Sequence, residues 1–255
     1  MKKPSLLLGA LALALFSTGV HAETLRFATD ASYPPFSKQG PDGKMIGFDP
    51  DIAQALCAAM KVSCEVLPQD FDGAIPALNA RKYDAVIASM NITDERKKAV
   101  NFTDKYYNMP SRLVGKAGIT VNDAWFKGKK IGVLRSSIQE KYARDHWVKL
   151  GATLVSYGKA PESFLDLKSG RIDASFVDAA VGDTDFLKTP NGKGFAFAGP
   201  EYNDAKYFGE GAGIAVRKAD TALLARLNKA LKDIRANGTY DKIQKKYFSF
   251  DIYGK

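Results

Sequence analysis

The chain has 255 residues, a formal charge of +9 and 45% hydrophobic residues, with only two cysteines and two histidines. Two cysteines are too few for a metal cage, and a scarcity of histidine argues against a structural zinc site and a Ser-His-Asp triad. The basic excess is scattered, as in Lys127-Gly-Lys-Lys130 and Lys245-Lys246, rather than massed with aromatics on one element, so it reads as a solubilising surface and not a nucleic-acid face.

Lys2 and Lys3 precede an apolar run from Leu6 to Phe16, and Val20-His21-Ala22 closes it with a small-x-small pattern. That is a secretory signal peptide over residues 1–22, cleaved after Ala22. About eleven apolar residues are too few to cross a bilayer, for which about 20 are needed. The mature chain is exported, and loss of Lys2 and Lys3 takes its charge from +9 to +7. It keeps one histidine, His146, on the amphipathic stretch Glu140–Val148, where a packed or surface imidazole is the plain reading. In an oxidising compartment Cys57 and Cys64, seven positions apart, read as one local disulfide joining a helix end to the next strand.

Thr24 to Thr29 alternates as a strand and runs into Asp30-Ala-Ser-Tyr-Pro-Pro-Phe36, where two prolines impose an ordered loop. Asp42-Gly43 is a turn. Asp49 is placed as the cap of a helix with Pro50 at its first position, running to about Met60. Val62 to Leu67 is a strand, and Asp70-Phe71-Asp72-Gly73 leads into a helix to about Lys82. Asp84 to Ala88 is a short buried strand, after which Thr93 caps a helix that has Asp94 and Glu95 at its positive end. Arg96 falls in its first turn, where it is either a carboxylate receptor leaning over the strand end or a surface charge. Val100 to Lys116 reads as extended.

The pattern then restarts. Lys130 to Leu134 is a strand, Ser136-Ser137 a cap, Ile138 to Leu150 a helix and Ala152 to Tyr157 a strand. Pro161 to Ser169 is a helix, Ile172 to Val177 a strand ending at Asp178, and Ala179 to Leu187 a helix. Gly194 to Gly199 and Gly211 to Val216 are strands. Thr221 to Ala236, capped by Asp220, and Tyr240 to Phe248 are the closing helices. Two βαβ series imply two α/β lobes. The glycines of Gly209-Glu-Gly-Ala-Gly213 precede a strand rather than a helix, which argues for domain crossover or packing and against a nucleotide loop.

Near the strand ends stand Asp30, Tyr33, Phe71, Ser89, Asn91 and Arg96 in the first lobe, and Ser136, Ser137 and Asp178 in the second. Together they offer a cation, two carboxylates, aromatic faces and small polar groups to a cleft. An α-amino acid zwitterion needs one charge of each sign. The second carboxylate suits a ligand with a further positive charge.

The motifs "DASYPPF", "GFDPDIAQALC", "FDGAIPAL", "YDAVIASMNITDER", "KKIGVLRSS", "GRIDASFVDA", "KYFGEGAGIAVRK" and "ANGTYDKIQKKYF" span the chain. They resemble periplasmic solute-binding proteins of ABC importers for polar and basic amino acids, most closely the lysine/arginine/ornithine- and histidine-binding group. The resemblance implies a two-lobed type II periplasmic binding fold, each lobe a mostly parallel sheet flanked by helices. Lobe one would be 23–108 with 211–255, lobe two 111–203, and the hinge crossings 108–110 and 204–211. It implies that Arg96 holds the α-carboxylate with backbone N–H groups near Asn91 and Ile138, and that Asp178 with Ser89 holds the α-ammonium. Asp30 would meet the distal cation, Ser137 would lie beside the ligand, and Tyr33 and Phe71 would sandwich its stem. The chain departs from that group at Ala88 and Asn91, where serines are common, and at Arg135 and Ile138. The implied function is high-affinity binding of arginine, lysine or ornithine by a monomer that delivers it to a membrane ABC permease, with no cofactor. A histidine- or opine-type ligand, a dehydratase on the same scaffold and a sensor module are the rival expectations.

Overall fold

The computed structural model describes residues 23–254, so residues 1–22, expected to be a signal peptide, lie outside the described residues. β1 (Thr24–Thr29) buries Leu25, Phe27 and Ala28. The proline loop after it is built into a small sheet of β2 (Ser32–Tyr33), β3 (Ser37–Gln39) and β4 (Met45–Ile46). α1 (Phe48–Met60) begins two residues before the expected start, because Gly47 rather than Asp49 is its cap. Gly47 has φ +131, and a Cβ there would collide with the backbone of Phe36 and Ser37. Only glycine lets the chain turn into the helix here, and Asp49 is thereby carried into the first turn and fully buried.

β5 (Ser63–Pro68) follows, and a Cys57–Cys64 disulfide ties α1 to it across a Cα–Cα distance of 5.9 Å. Closing so short a loop contributes about 2–3 kcal/mol by the chain-entropy account. The double variant Cys57→Ala, Cys64→Ala is therefore expected to melt about 5–10 °C lower in calorimetry with ligand affinity retained. An unchanged midpoint would show the bond to be energetically idle.

A 3₁₀ turn at Phe71–Gly73 leads into α2 (Ala74–Asn79), which stops short of Lys82 as Arg81 turns left-handed at φ 62. β6 (Ala85–Val86), α3 (Asp94–Ala99) and β7 (Asn101–Phe102) come next. The stretch 100–116 is not one strand. Fully buried Tyr106 and Tyr107 separate β7 from β8 (Ser111–Lys116), pulling the chain into the core between them.

The second series runs β9 (Lys130–Leu134), α4 (Ile138–His146), β10 (Thr153–Tyr157), α5 (Ala160–Lys168) and β11 (Ala174–Asp178). α4 ends at His146, and a separate 3₁₀ turn covers Val148–Leu150. α6 (Ala179–Val181) widens into a π-helical turn at Gly182–Leu187 before β12 (Phe195–Tyr202). α7 (Ala205–Phe208), β13 (Ala215–Val216), α8 (Thr221–Ala236) and α9 (Thr239–Tyr247) close the chain.

Two five-stranded sheets result, ordered β5-β1-β6-β13-β7 and β10-β9-β11-β8-β12. In each the first three strands are parallel and the fourth runs against both neighbours, so four of the five share a direction. β13 comes from the C-terminal part, so the chain leaves the first sheet, builds the second and returns. Lys246 and the Tyr247 hydroxyl then both bond Asp51 of α1 at 2.9 Å, fastening α9 to the first lobe. Residues 204–211, expected as a bare crossing, contain α7, because the rings of Tyr207 and Phe208 find Tyr142 of α4 at 5.2 and 5.4 Å. At Gly209 (φ +67) a Cβ would collide with the Ile92 carbonyl, which agrees with the packing reading of that glycine run.

Candidate ligand-binding site

The ends of β6, β9 and β11 face one narrow cavity, lined by Tyr33, Phe71, Ser89, Asn91, Arg96, Leu134, Ser137, Ile138, Gln139 and Asp178. Eight of these are residues that the sequence proposed for the site.

Thr93 caps α3, its Oγ1 accepting from the Arg96 N–H at 3.3 Å, and so aims the Arg96 side chain back over the strand end. The guanidinium donates to the Asn91 carbonyl at 3.0 Å and, across the cleft, to the Ser136 carbonyl at 3.1 Å, and lies 5.3 Å from the centre of the Phe71 ring. Burial lowers its pKa to about 10, which leaves it charged at neutral pH. The fork retains N–H groups for a planar anion.

On the facing side Ser137 caps α4, accepting from the Glu140 N–H at 3.0 Å while the Glu140 carboxylate accepts the Ser136 N–H at 2.7 Å. That reciprocal arrangement holds the helix start rigid. The N–H groups of Ile138 and Gln139, in the first turn, have no intrahelical acceptor and add to the local positive potential.

Asp178, at the end of β11, is buried. Its Oδ1 accepts from the Gln139 amide at 2.7 Å and the Ser111 hydroxyl at 3.3 Å, and the Tyr33 hydroxyl reaches the same carboxyl. Burial raises its pKa to about 6, offset in part by these donors and by Arg96. Asp30 is also buried with its pKa raised by desolvation, its Oδ1 bonded by the Ser32 N–H and hydroxyl at 2.8 and 2.9 Å. Its Oδ2 has no hydrogen-bond partner among the described residues, a deficit that a cationic group would relieve.

The profile of the bacterial extracellular solute-binding proteins, family 3, matches residues 25–250. The chain belongs to that family. Over 100% of its length it is 52% identical to the L-arginine-binding protein of Pseudomonas aeruginosa, covering 99% of that protein. It is 44% identical to the lysine/arginine/ornithine-binding periplasmic protein of Escherichia coli, over 98% of this chain and 96% of the relative. A solved Salmonella typhimurium periplasmic binding protein, described for its high arginine specificity, superposes with a TM-score of 0.83 at 36% identity, covering 89% of this chain and 100% of that one.

In this solute-binding protein two residues proposed for the site do not line the cavity. Asp30 lies buried outside its wall, and Ala88 is 2% exposed within the hydrophobic core. Asn91 lines the cavity, but its amide donates to the Phe208 carbonyl at 2.9 Å and so fastens α7 to the first lobe. Leu134 and Gln139 were not singled out from the sequence. The signal for Gln139 was its place in the first turn of a helix whose cap already belonged to the site. His146 stacks on Tyr142 at 4.3 Å, away from the cavity residues. Among the described residues two ion pairs join the solute-binding protein's lobes outside the cavity, Arg135–Asp72 at 3.2 Å and Lys141–Glu95 at 3.7 Å.

Proposed function

We propose that this solute-binding protein captures a basic L-amino acid, arginine with lysine and ornithine, in the periplasm and presents it as a monomer to the membrane complex of an ABC importer. The observation that carries the reading is one cavity with a guanidinium from the first lobe and a carboxylate from the second, together with buried Asp30, whose Oδ2 has no hydrogen-bond partner among the described residues. Arg96 and the first N–H groups of α4 receive the α-carboxylate. Asp178 and the Ser89 oxygen receive the α-ammonium, Phe71 and Tyr33 flank the stem, and Asp30, outside the cavity lining but near Tyr33, turns its unpartnered Oδ2 to the distal charge.

The first lobe by itself offers Arg96 and Phe71, and only the closed arrangement adds Asp178. A ligand therefore favours closure by the difference in contacts between the two states. The names of the relatives point to the same ligand class.

Thermal denaturation against a panel of amino acids tests the reading, since ligand at 100 times its dissociation constant adds about 2.7 kcal/mol. Arginine, lysine and ornithine are expected to raise the midpoint by several degrees, with citrulline and glutamate well behind. Equal shifts from citrulline would remove Asp30 from the scheme, and no shift from any cationic amino acid would refute the function. In the same assay, Asp30→Asn is expected to weaken arginine and lysine by about 10- to 100-fold, as for a lost hydrogen bond to a charge, while sparing uncharged ligands. An equal loss for all ligands would assign Asp30 to the fold.

A further inference from the structure

Among the described residues Asp30, Asp49 and Asp178 are the buried acids, and Asp49 has no part in the scheme above. Gly47 places it in the first turn of α1, fully buried, facing the end of β6. The Tyr106 hydroxyl donates to its Oδ1 at 2.8 Å and the Ser89 hydroxyl donates to its Oδ2 at 3.1 Å. The Tyr106 oxygen in turn accepts the Ser89 N–H at 3.1 Å, closing a ring of three residues. The ion pairs found among the described residues do not include Asp49. Burial raises its pKa to about 7, while the bonds from Tyr106 and Ser89 hold it down.

Ser89 lines the cavity and has a left-handed φ of 53, a conformation uncommon for a residue with a Cβ. A hydroxyl has one proton and otherwise only lone pairs. With that proton directed at Asp49, the oxygen can offer the cavity nothing but acceptance.

We infer that Asp49 is a positioning residue that fixes Ser89 as a hydrogen-bond acceptor and so selects a donor, the ligand's α-ammonium, at this point of the site. The inference rests on the ammonium placement proposed above. Above pH 7, where Asp49 is ionised, a buried anion behind the serine also extends the negative potential at that end of the cavity, in the same direction as Asp178. A carboxylate serving only to brace the fold could be replaced by its amide with equal effect on every ligand.

Asp49→Asn separates the two cases. Tyr106 keeps the amide oxygen in the place of Oδ1, so the amide nitrogen replaces Oδ2, donates to the Ser89 oxygen and turns the serine proton into the cavity. By calorimetric titration, arginine is expected to bind D49N about 10- to 100-fold more weakly, the range for a hydrogen bond to a charged group. The analogue 5-guanidinopentanoate, which lacks the α-ammonium, is expected to bind both proteins equally. In a Ser89→Ala background D49N should bring no further loss.

Equal losses for the two ligands, or an undiminished loss on top of S89A, overturn the inference and leave Asp49 a brace. Unchanged arginine affinity in S89A removes the ammonium from this position and the inference with it. Should D49N not fold, the wild-type arginine complex answers by NMR. The Ser89 hydroxyl proton, slow to exchange when buried, should show proximity to the Tyr106 ring. Proximity to the ligand instead overturns the assignment.

Discussion

Arg96→Met is expected to weaken arginine binding by roughly 30-fold to several thousand-fold, the range of about 2–5 kcal/mol for truncating one member of a buried charge pair. The guanidinium is the positive group that faces the cavity from the end of β6, and the ligand carboxylate would be left with only the N–H groups of α4. Arg96→Lys is expected to recover little, because a single ammonium lacks the fork that meets both carboxylate oxygens and cannot reproduce the bonds to Asn91 and Ser136. Folding offers an internal control. Burial depresses the Arg96 pKa, so the guanidinium is held at a desolvation cost. The methionine variant should therefore melt no lower than wild type without ligand. Titration calorimetry showing arginine affinity within tenfold of wild type would remove Arg96 from the site.

Asp178→Asn should produce a loss of comparable size and, in addition, alter the pH dependence. Burial raises the pKa of this carboxyl to about 6. A ligand ammonium against it stabilises the ionised form and lowers that pKa, so binding releases a proton wherever the unliganded group is still protonated. Affinity is then greatest above pH 6 and falls as pH drops through 6, by up to about tenfold per unit. Asp178→Asn should abolish that part of the profile. Because Asp178 belongs to the second lobe and Arg96 to the first, the variant should also shrink less on adding arginine in small-angle scattering. Wild-type affinity and an unaltered scattering change would refute its role. A residual dependence near pH 7 in the variant would belong to Asp49, whose pKa is raised to about 7.

The two misreadings along the chain share a physical origin, long-range packing that overrides a local preference. The placement of Asp49 as a helix cap followed sound local chemistry, since aspartate before proline suits a helix start. The local preference lost because Gly47 could enter the helix at a φ closed to other residues and because Ser89 and Tyr106, 40 and 57 positions away, supply the carboxylate's partners. Residues 100–116 misled in a similar way. Their β-favouring side chains are consistent with strand, but Tyr106 and Tyr107 pack among Phe36, Phe48 and Phe248 and bend the path between β7 and β8.

What the amino-acid order determined by itself is everything that depends on near neighbours: the alternation of β1, the Thr93 and Ser137 caps and the local disulfide. Caps and periodicities act within a few residues, so their energetics are complete in a short window. The cap at Thr93 even sets the direction of Arg96. Only the tertiary structure decided which polar groups remain available to a ligand. Asn91, proposed for the site, has its amide held by the Phe208 carbonyl, and Gln139, not singled out from the sequence, anchors Asp178. The polarity of Ser89 turns on a carboxylate one helix away. Availability of a donor or acceptor is settled by long-range packing and exclusion of water, and these arise only once both lobes are in place.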